Sequence, residues 1–243
     1  MKLKLTLSVF LTVIFNARVF AQVSAPSIET TFKNYLQAES GHVYTGSALP
    51  VFLIKEDTKG NRYLYEKWVT GSVVGVDGVV YNSSKYLFNY DKIGQKLLML
   101  LDSTKMLVLN SGDIAGFTLQ DDTSQYHFER LKNSTDLNFY QALYKDEKGY
   151  SFYKLLKTKF MKADYQSNGI VESGRKYDEY VDEELFFILS AKQELSRIDF
   201  KKKSLEKVFE HEASKLQSFF DQHKGEKVNE EFVRNLVEFI NTH

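Results

Sequence analysis

The sequence predicts an α+β fold: a mainly antiparallel β-sheet, arranged as a meander or partly open barrel, followed by two to three α-helices at the carboxyl end. Between 63 and 197, short apolar or alternating runs are separated by clusters of Gly, Asp, Asn and Ser, as in antiparallel strands joined by turns. After Lys203 the apolar spacing becomes helical. The chain also has 19 Phe and 15 Tyr against one Trp, and such aromatics favour strands.

Turn residues place the strands along the chain. Asp77-Gly78 predicts a hairpin closed by a type I′ turn, because this pair readily takes positive φ angles. The alternation of Tyr86, Phe88 and Tyr90 predicts a strand with one aromatic face. Further strands are predicted at 97–101, 106–109, 114–119, 126–131, 139–144, 150–156, 177–189 (one long strand or a bent pair) and 194–198.

Two amphipathic helices are predicted after the sheet. Ser204 is the expected N-cap of the first, and Gly225 is its expected stop. Asn229 begins the second, with two glutamates in its first turn. Both helices carry apolar stripes that need a sheet face to bury against, at Leu205, Val208, Phe209, Leu216, Phe219 and Phe220, and at Phe232, Val233, Leu236, Val237 and Ile240.

The amino end has the order of a secretory signal peptide. Lys2 and Lys4 precede an apolar run at 5–15, which is shorter than the ~20 residues that span a bilayer. Small Ala21 then fits a cleavage site before Gln22. We therefore expect a periplasmic or secreted protein that meets the membrane only during export.

Composition bounds the remaining chain. We expect a linker or partly ordered segment at 22–62, an antiparallel β domain at 63–200 and a helical segment at 201–243 packed on it. The absence of cysteine excludes disulfides and thiolate metal sites, so stability must come from burial. The 32 basic and 32 acidic residues balance, and removal of the signal leaves a slight acidic excess, so we expect no nucleic acid partner.

No motif with a strong catalytic meaning is present. The sequence has no nucleophile elbow, phosphate-binding loop or dinucleotide fingerprint. His211-Glu212 begins like the zinc-protease helix motif, but Lys215 stands where the second histidine must ligate. We therefore expect no cofactor.

Five acidic residues between 178 and 184 form the densest acidic run. Strand alternation places Asp178, Asp182 and Glu184 on one side, where convergent carboxylates could bind a metal ion or act as an acid and base. No glycine interrupts 177–189 to form a calcium loop. The favoured interpretation is a solvated or lysine-paired strand face.

Basic and aromatic clusters have similarly plain interpretations. The lysines at 154, 157, 159 and 162 and at 201–203 are interpreted as solubilising residues, as on edge strands. The stripe of Tyr86, Phe88 and Tyr90 could stack on sugars if exposed, but burial in the core is favoured because sugar platforms use tryptophan, and only Trp68 is present.

An ordered series of segments resembles a group of uncharacterised exported proteins common in Bacteroidota. The similar segments are Tyr63-Leu64-Tyr65-Glu66-Lys67-Trp68-Val69-Thr70-Gly71-Ser72-Val73, Asp77-Gly78, Asn89-Tyr90-Asp91, Lys96-Leu97-Leu98, Lys159-Phe160-Met161-Lys162-Ala163-Asp164-Tyr165, Tyr177-Asp178-Glu179-Tyr180-Val181-Asp182 and Lys202-Lys203-Ser204-Leu205. The resemblance implies an exported Gram-negative setting. The resemblance implies no activity, no ligand and no site residue for this chain.

Three functions remain open. The first is a non-enzymatic exported protein that binds a protein or envelope partner. The second is a module that binds a small ligand or glycan in an aromatic-lined cavity. The third is a hydrolase that uses the carboxylates between 178 and 184. The oligomeric state is open at this stage.

Overall fold

The computed structural model describes residues 48–49, 58–82, 85–102, 105–131, 137–167 and 171–243. The strands are β1 (Ala48–Leu49), β2 (Thr58–Lys59), β3 (Thr70–Gly75), β4 (Val80–Asn82), β5 (Leu87–Asp91), β6 (Lys96–Asp102), β7 (Lys105–Val108), β8 (Ile114–Gln120), β9 (Gln125–Glu129), β10 (Tyr140–Tyr144), β11 (Ser151–Met161), β12 (Gln166–Ser167), β13 (Glu172–Ser173), β14 (Asp178–Leu189) and β15 (Leu195–Ile198). The helices are α1 (Lys202–Val208), α2 (Ala213–Gln222) and α3 (Glu230–Thr242), with 3₁₀ turns at Ser111–Asp113 and Glu210–Glu212.

Most strands form one large sheet, which we call the main sheet. Its order is β15-β14-β11-β10-β9-β8-β3-β4, and β2 pairs in parallel with the start of β14. From β8 to β15 the strands follow the predicted antiparallel meander, interrupted only by the hairpin β12–β13. The described sheet ends in β15 on one side and β4 on the other, so it is not a closed barrel. The α+β class is confirmed.

Strands β5 to β7 leave this meander and form a second, small sheet. Its order is β1-β7-β6-β5. The sequence predicts strands β5, β6 and β7 but not their departure from the main sheet, because a strand's partner depends on contacts distant in the chain. The segment before β3 ties the two sheets together, since backbone hydrogen bonds join Val69 and Phe88 in both directions.

A core rich in aromatic rings lies between the two sheets. Tyr90 is fully buried, and its ring lies 5.4 Å from that of Phe117 and 5.1 Å from that of Phe128. Its hydroxyl donates a 2.9 Å hydrogen bond to Gln95 Oε1, and burial raises the pKa of this phenol. Tyr86 and Phe88 are also buried, so the predicted burial of the aromatic stripe is confirmed.

The helices cover a second part of the main sheet. All five apolar positions predicted for α3 are buried, and they pack in one cluster with Phe152, Phe186 and Ile188 of β11 and β14. Asn229 caps α3 as predicted, because its Oδ1 accepts a 2.9 Å hydrogen bond from the Phe232 amide.

One cross-strand row shows that the small sheet and the helices share a face of the main sheet. The row comprises Val73, Phe117, Phe128, Gln141, Lys154, Phe186 and Ile198, each opposite the next. Opposite residues in an antiparallel sheet point to the same side. The first three belong to the core under the small sheet, and the last two belong to the helical core. Gln141 and Lys154 lie between the two cores.

Two local predictions were wrong. Gly78 has a φ of 79°, but Asp77 does not have a positive φ, so the hairpin is not closed by a type I′ turn. Gly78 donates to the Gly75 carbonyl and Asp77 Oδ1 accepts from the Val79 amide, which holds a three-residue loop with its glycine in the left-handed conformation.

The second wrong prediction concerns the first helix. Lys201, not Ser204, is the N-cap of α1, and the Ser204 hydroxyl instead accepts a 3.0 Å hydrogen bond from the Asp199 amide. The predicted continuous helix is also broken after Val208 by the 3₁₀ turn at Glu210–Glu212. The apolar stripe survives the break because both helical pieces pack into the same core.

Among the described residues, no helix is both long enough and apolar enough to span a bilayer.

Candidate functional site

The acidic candidates Asp178, Asp182 and Glu184 lie on one face of β14. The register between β14 and β11 is continuous, so side chains two apart point to the same side. However, six residues of extended strand separate Asp178 from Glu184 by about 20 Å. The described residues contain no group of three or more His, Cys, Asp and Glu side chains that could hold a metal ion. The structure thus aligns the three carboxylates without bringing all of them together.

Asp182 is held by a lysine of the small sheet's β5–β6 turn. Lys92 Nζ lies 2.8 Å from both carboxylate oxygens, and the Thr158 hydroxyl donates to the same carboxylate. The side chain of Lys92 is 6% exposed, whereas that of Asp182 is 45% exposed. The pair therefore joins the turn of the small sheet to the face of the main sheet.

The neighbouring acids are also paired with lysines. Glu183 lies 2.6 Å from Lys159 Nζ, and this hydrogen bond lowers the pKa of the Glu183 carboxyl. Lys154 Nζ lies 3.3 Å from Glu184 and 3.1 Å from Glu230 of α3.

The edge-strand interpretation of the β11 lysines is wrong for Lys154, which lies opposite Gln141 of β10 on one side and Phe186 of β14 on the other. Lys157 and Lys159, however, lie in the part of β11 that pairs with β14 alone. The lysine-paired strand face, by contrast, is what the structure contains.

The broken zinc-protease motif lies beside a cleft. His211 and Glu212 are in the 3₁₀ turn between α1 and α2, and Lys215 Nζ forms a 3.1 Å ion pair with Glu212. Lys215 also donates to the Ile240 carbonyl at 3.1 Å. The three side chains therefore do not share one regular helix face as the motif requires.

This cleft has a volume of about 600 Å³, within the range of small-molecule sites. Its walls come from the β10–β11 turn, the β14–β15 hairpin, α1 with the following 3₁₀ turn, the start of α2 and the end of α3. We call it the basic cleft, because its basic lining residues outnumber its acidic ones. The basic residues are Lys148, Lys192, Arg197, Lys207 and Lys215, and the acidic residues are Glu194, Glu210 and Glu212.

Asn241 of α3 fixes one wall of the basic cleft. Its Oδ1 accepts from the Tyr150 amide and its Nδ2 donates to the Tyr150 carbonyl, both at 2.8 Å. A side chain at Gly149 would collide with Asn241, because an added Cβ would overlap Oδ1. The glycine thus permits the close approach that joins the β10–β11 turn to the helix.

The charges of the basic cleft are unevenly compensated. Lys215 neutralises Glu212, and His211 lies 3.7 Å from Glu210. Burial, with a smaller contribution from Glu212, raises the pKa of the nearby Tyr150 phenol. Four basic residues of the lining, Lys148, Lys192, Arg197 and Lys207, form no ion pair within 4.0 Å in the described part of the chain. Arg197 acts only at longer range, where it helps to lower the pKa of Glu183.

No local sequence pattern predicts the basic cleft, since its residues come from segments between 148 and 241. The only sequence feature pointing to it was an excess of basic over acidic residues between 192 and 207. Of the other predicted site residues, Ala21 and Gln22 lie outside the described residues.

Comparison of the chain with protein-family models, with curated proteins and with solved structures finds no match. The resemblance to exported proteins of Bacteroidota therefore stays a prediction.

Proposed function

We propose that this chain is an exported binding protein whose basic cleft receives an anionic group of its ligand. In this proposal the role is binding and not catalysis, and the carboxylates of β14 serve the structure through their lysine partners.

The observation that carries the proposal is the set of unpaired basic side chains around one concavity. Lys192 comes from the turn of the β14–β15 hairpin and Lys207 from α1, and both line a cleft large enough for a small ligand or part of a larger one. Arg197 of β15 borders the same cleft, but its register opposite Phe187 places its side chain on the other face of the sheet. A carboxylate or phosphate there would gain charge-assisted hydrogen bonds, which are stronger than bonds between neutral groups. The backbone of Arg197 is held in β15 and that of Lys207 in α1, so little backbone ordering is needed there when a ligand binds, whereas Lys192 lies in the turn between β14 and β15.

Titration calorimetry with citrate and with inorganic phosphate as probes tests the proposal. We expect the double variant Lys192→Glu/Lys207→Glu to bind citrate at least tenfold more weakly than the native protein at the same salt concentration. Lys224→Glu/Lys227→Glu is the matched control, because both lysines are exposed, lie outside the cleft lining and undergo the same charge change as the tested pair. Absence of binding by the native protein, or equal weakening in the control, would overturn the proposed site.

Export is a separate part of the proposal. It is supported by the lysines, the apolar run and the small residue at Ala21 in the first part of the sequence. Expression of the full chain in a Gram-negative host, followed by amino-terminal sequencing of the periplasmic fraction, tests it. We expect the mature chain to begin at Gln22. Recovery from the cytosol with Met1 retained would contradict export.

A further inference from the structure

The last strand of the main sheet, β15, has one open edge beside the basic cleft. It pairs with β14 on one side, and no described strand lies on its other side. The Ser190 amide donates to the Glu194 carbonyl at 3.0 Å, which fixes the hydrogen-bonding phase of the hairpin. Because hydrogen-bonded and non-bonded pairs alternate in antiparallel strands, Ser196 and Ile198 bond to β14. The backbone groups of Leu195 and Arg197 therefore point away from it.

This edge coincides with the positive charge of the cleft. Ser196 and Arg197 of β15 line the cleft together with Lys192 of the adjoining turn and Lys207 of α1. Arg197 is opposite Phe187, so its side chain points to the face of the main sheet away from the helices. A strand added to β15 would thus lie along an open edge of the sheet, with the side chains of Lys192 and Lys207 at the cleft beside it. Its backbone would complete the sheet, and its side chains on the helical face would meet the positive charge.

We propose that the ligand is an extended acidic segment of a partner protein, which adds to β15 as a further strand of the main sheet. This inference rests on the proposed function of the basic cleft and names its ligand. Main-chain hydrogen bonds to Leu195 and Arg197 supply affinity, as in other cases of strand addition to a sheet edge. Charge complementarity selects acidic residues at every second position of the segment, because alternate side chains of a strand face the same side.

Hydrogen exchange gives a direct readout of strand addition. The probe is a capped six-residue peptide of alternating glutamate and valine, added to the full mature chain. We expect the amides of Leu195 and Arg197 to exchange rapidly without peptide and at least tenfold more slowly when peptide is bound. The amides of Ser196 and Ile198 bond to β14 and serve as internal controls whose exchange changes little.

Two matched peptides separate backbone pairing from charge. The same peptide N-methylated at alternate residues keeps its charge but loses the amide donors on one edge. It is made in two versions, one methylated at the odd-numbered residues and one at the even-numbered residues. We expect at least one version to bind tenfold or more weakly than the unmethylated peptide. A peptide with lysine in place of glutamate should not bind, and Lys207→Glu should weaken the acidic peptide whereas Lys224→Glu should not. Equal binding of the peptide and both methylated forms would overturn strand addition.

The citrate titration distinguishes this inference from the proposed function. If citrate binds in the cleft and the acidic peptide does not, strand addition is wrong and the anionic cleft stands. If neither probe binds, both proposals are wrong. If the peptide binds without slowing exchange at Leu195 and Arg197, it occupies another surface and strand addition is again wrong.

Discussion

Lys92 and Asp182 lie 90 positions apart in the chain and form a charged contact of 2.8 Å between the small and main sheets. Their unequal exposure decides how each contributes to stability. The ammonium of Lys92 is almost fully buried and depends on Asp182 for its counter-charge. The carboxylate of Asp182 is half-exposed, so hydration by water can replace part of the charge stabilisation that Lys92 supplies.

Neutralising substitutions at the two members of this pair should therefore lower the free energy of unfolding by unequal amounts. We expect Asp182→Asn to lower the free energy of unfolding by about 3 kcal/mol, because it leaves a buried ammonium without a counter-charge. Lys92→Met should lower it by only about 1 kcal/mol, because the long apolar side chain keeps the packing. Urea unfolding of the two variants measures both. Equal losses would contradict the dependence on burial.

His127 offers a pH-dependent test on the other face of the sheet. Its Nδ1 lies 2.9 Å from the Thr118 hydroxyl and its Nε2 lies 4.0 Å from Glu129, which Lys145 and Tyr153 also contact. Burial lowers the pKa of His127, and this outweighs the opposing effect of Glu129.

A lowered pKa means that the unfolded chain takes up a proton before the folded one. The stability contributed by neutral His127 is therefore complete above the ordinary pKa near 6.5 and is lost as pH falls through the folded value. We expect the loss of stability between pH 7.5 and pH 5 to be smaller in His127→Gln than in the native protein. If NMR of the folded protein shows that the His127 imidazole titrates with a midpoint above 6.5, this expectation is wrong.

Helix α3 is defined at its start by a side chain and along its length by burial. The Asn229 cap satisfies one of the amides that no helical carbonyl can reach. At the corresponding position of α1, Lys201 makes no side-chain cap bond. The two N-termini therefore form an internal comparison of a capped and an uncapped helix.

Truncation of the N-cap side chain should reduce stability at α3 but not at α1. We expect Asn229→Ala to lower the free energy of unfolding by about 1 kcal/mol, the usual value of an N-cap side chain. Lys201→Ala should change it by less than about 0.5 kcal/mol, because no hydrogen bond is lost. Chemical denaturation measures both. A similar loss in both variants would show that the Asn229 bond contributes nothing specific.

Among the described residues, two hydrophobic cores lie on one face of the main sheet. The row from Val73 to Ile198 crosses both, and β10 and β11 connect the part under the small sheet to the part under the helices. Lys154 joins β11 to α3 through Glu230 at the boundary between them. Because the strands under the two cores belong to one continuous hydrogen-bonded sheet, disruption of either half of the sheet should affect the other.

We therefore expect the cores to unfold together. Leu236 is fully buried in the helical core, and Leu236→Ala should cost about 2–5 kcal/mol. Trp68 is the only tryptophan and lies in the segment that joins the two sheets, so its fluorescence reports on that region. Circular dichroism at 222 nm reports mainly on the helices. In urea unfolding of Leu236→Ala, the transitions followed by these two probes should shift to lower urea by the same amount. A shift of the helical transition alone would mean that 201–243 is a separate unit.

The sequence by itself determined the features that depend on near neighbours. The period of two identified the strands, the period of about four identified the helices, and Asn229 identified the start of α3, because backbone propensity, capping and amphipathicity all act within a few residues. A solvated or lysine-paired face was the favoured interpretation of the β14 carboxylates, because strand alternation places them on one side and charge runs are usually of that kind. Asp77-Gly78 identified a hairpin but not its turn type, since neighbouring hydrogen bonds selected another loop.

Only the tertiary structure decided which strands pair and which side chains meet. The departure of β5 to β7 into a second sheet, the contact of Lys92 with Asp182 and the gathering of the basic cleft from segments between 148 and 241 all join residues far apart in the chain. Such contacts depend on closing long loops and on competition among several apolar faces. No local pattern encodes the outcome of that competition, so the candidate site became visible only in the folded chain.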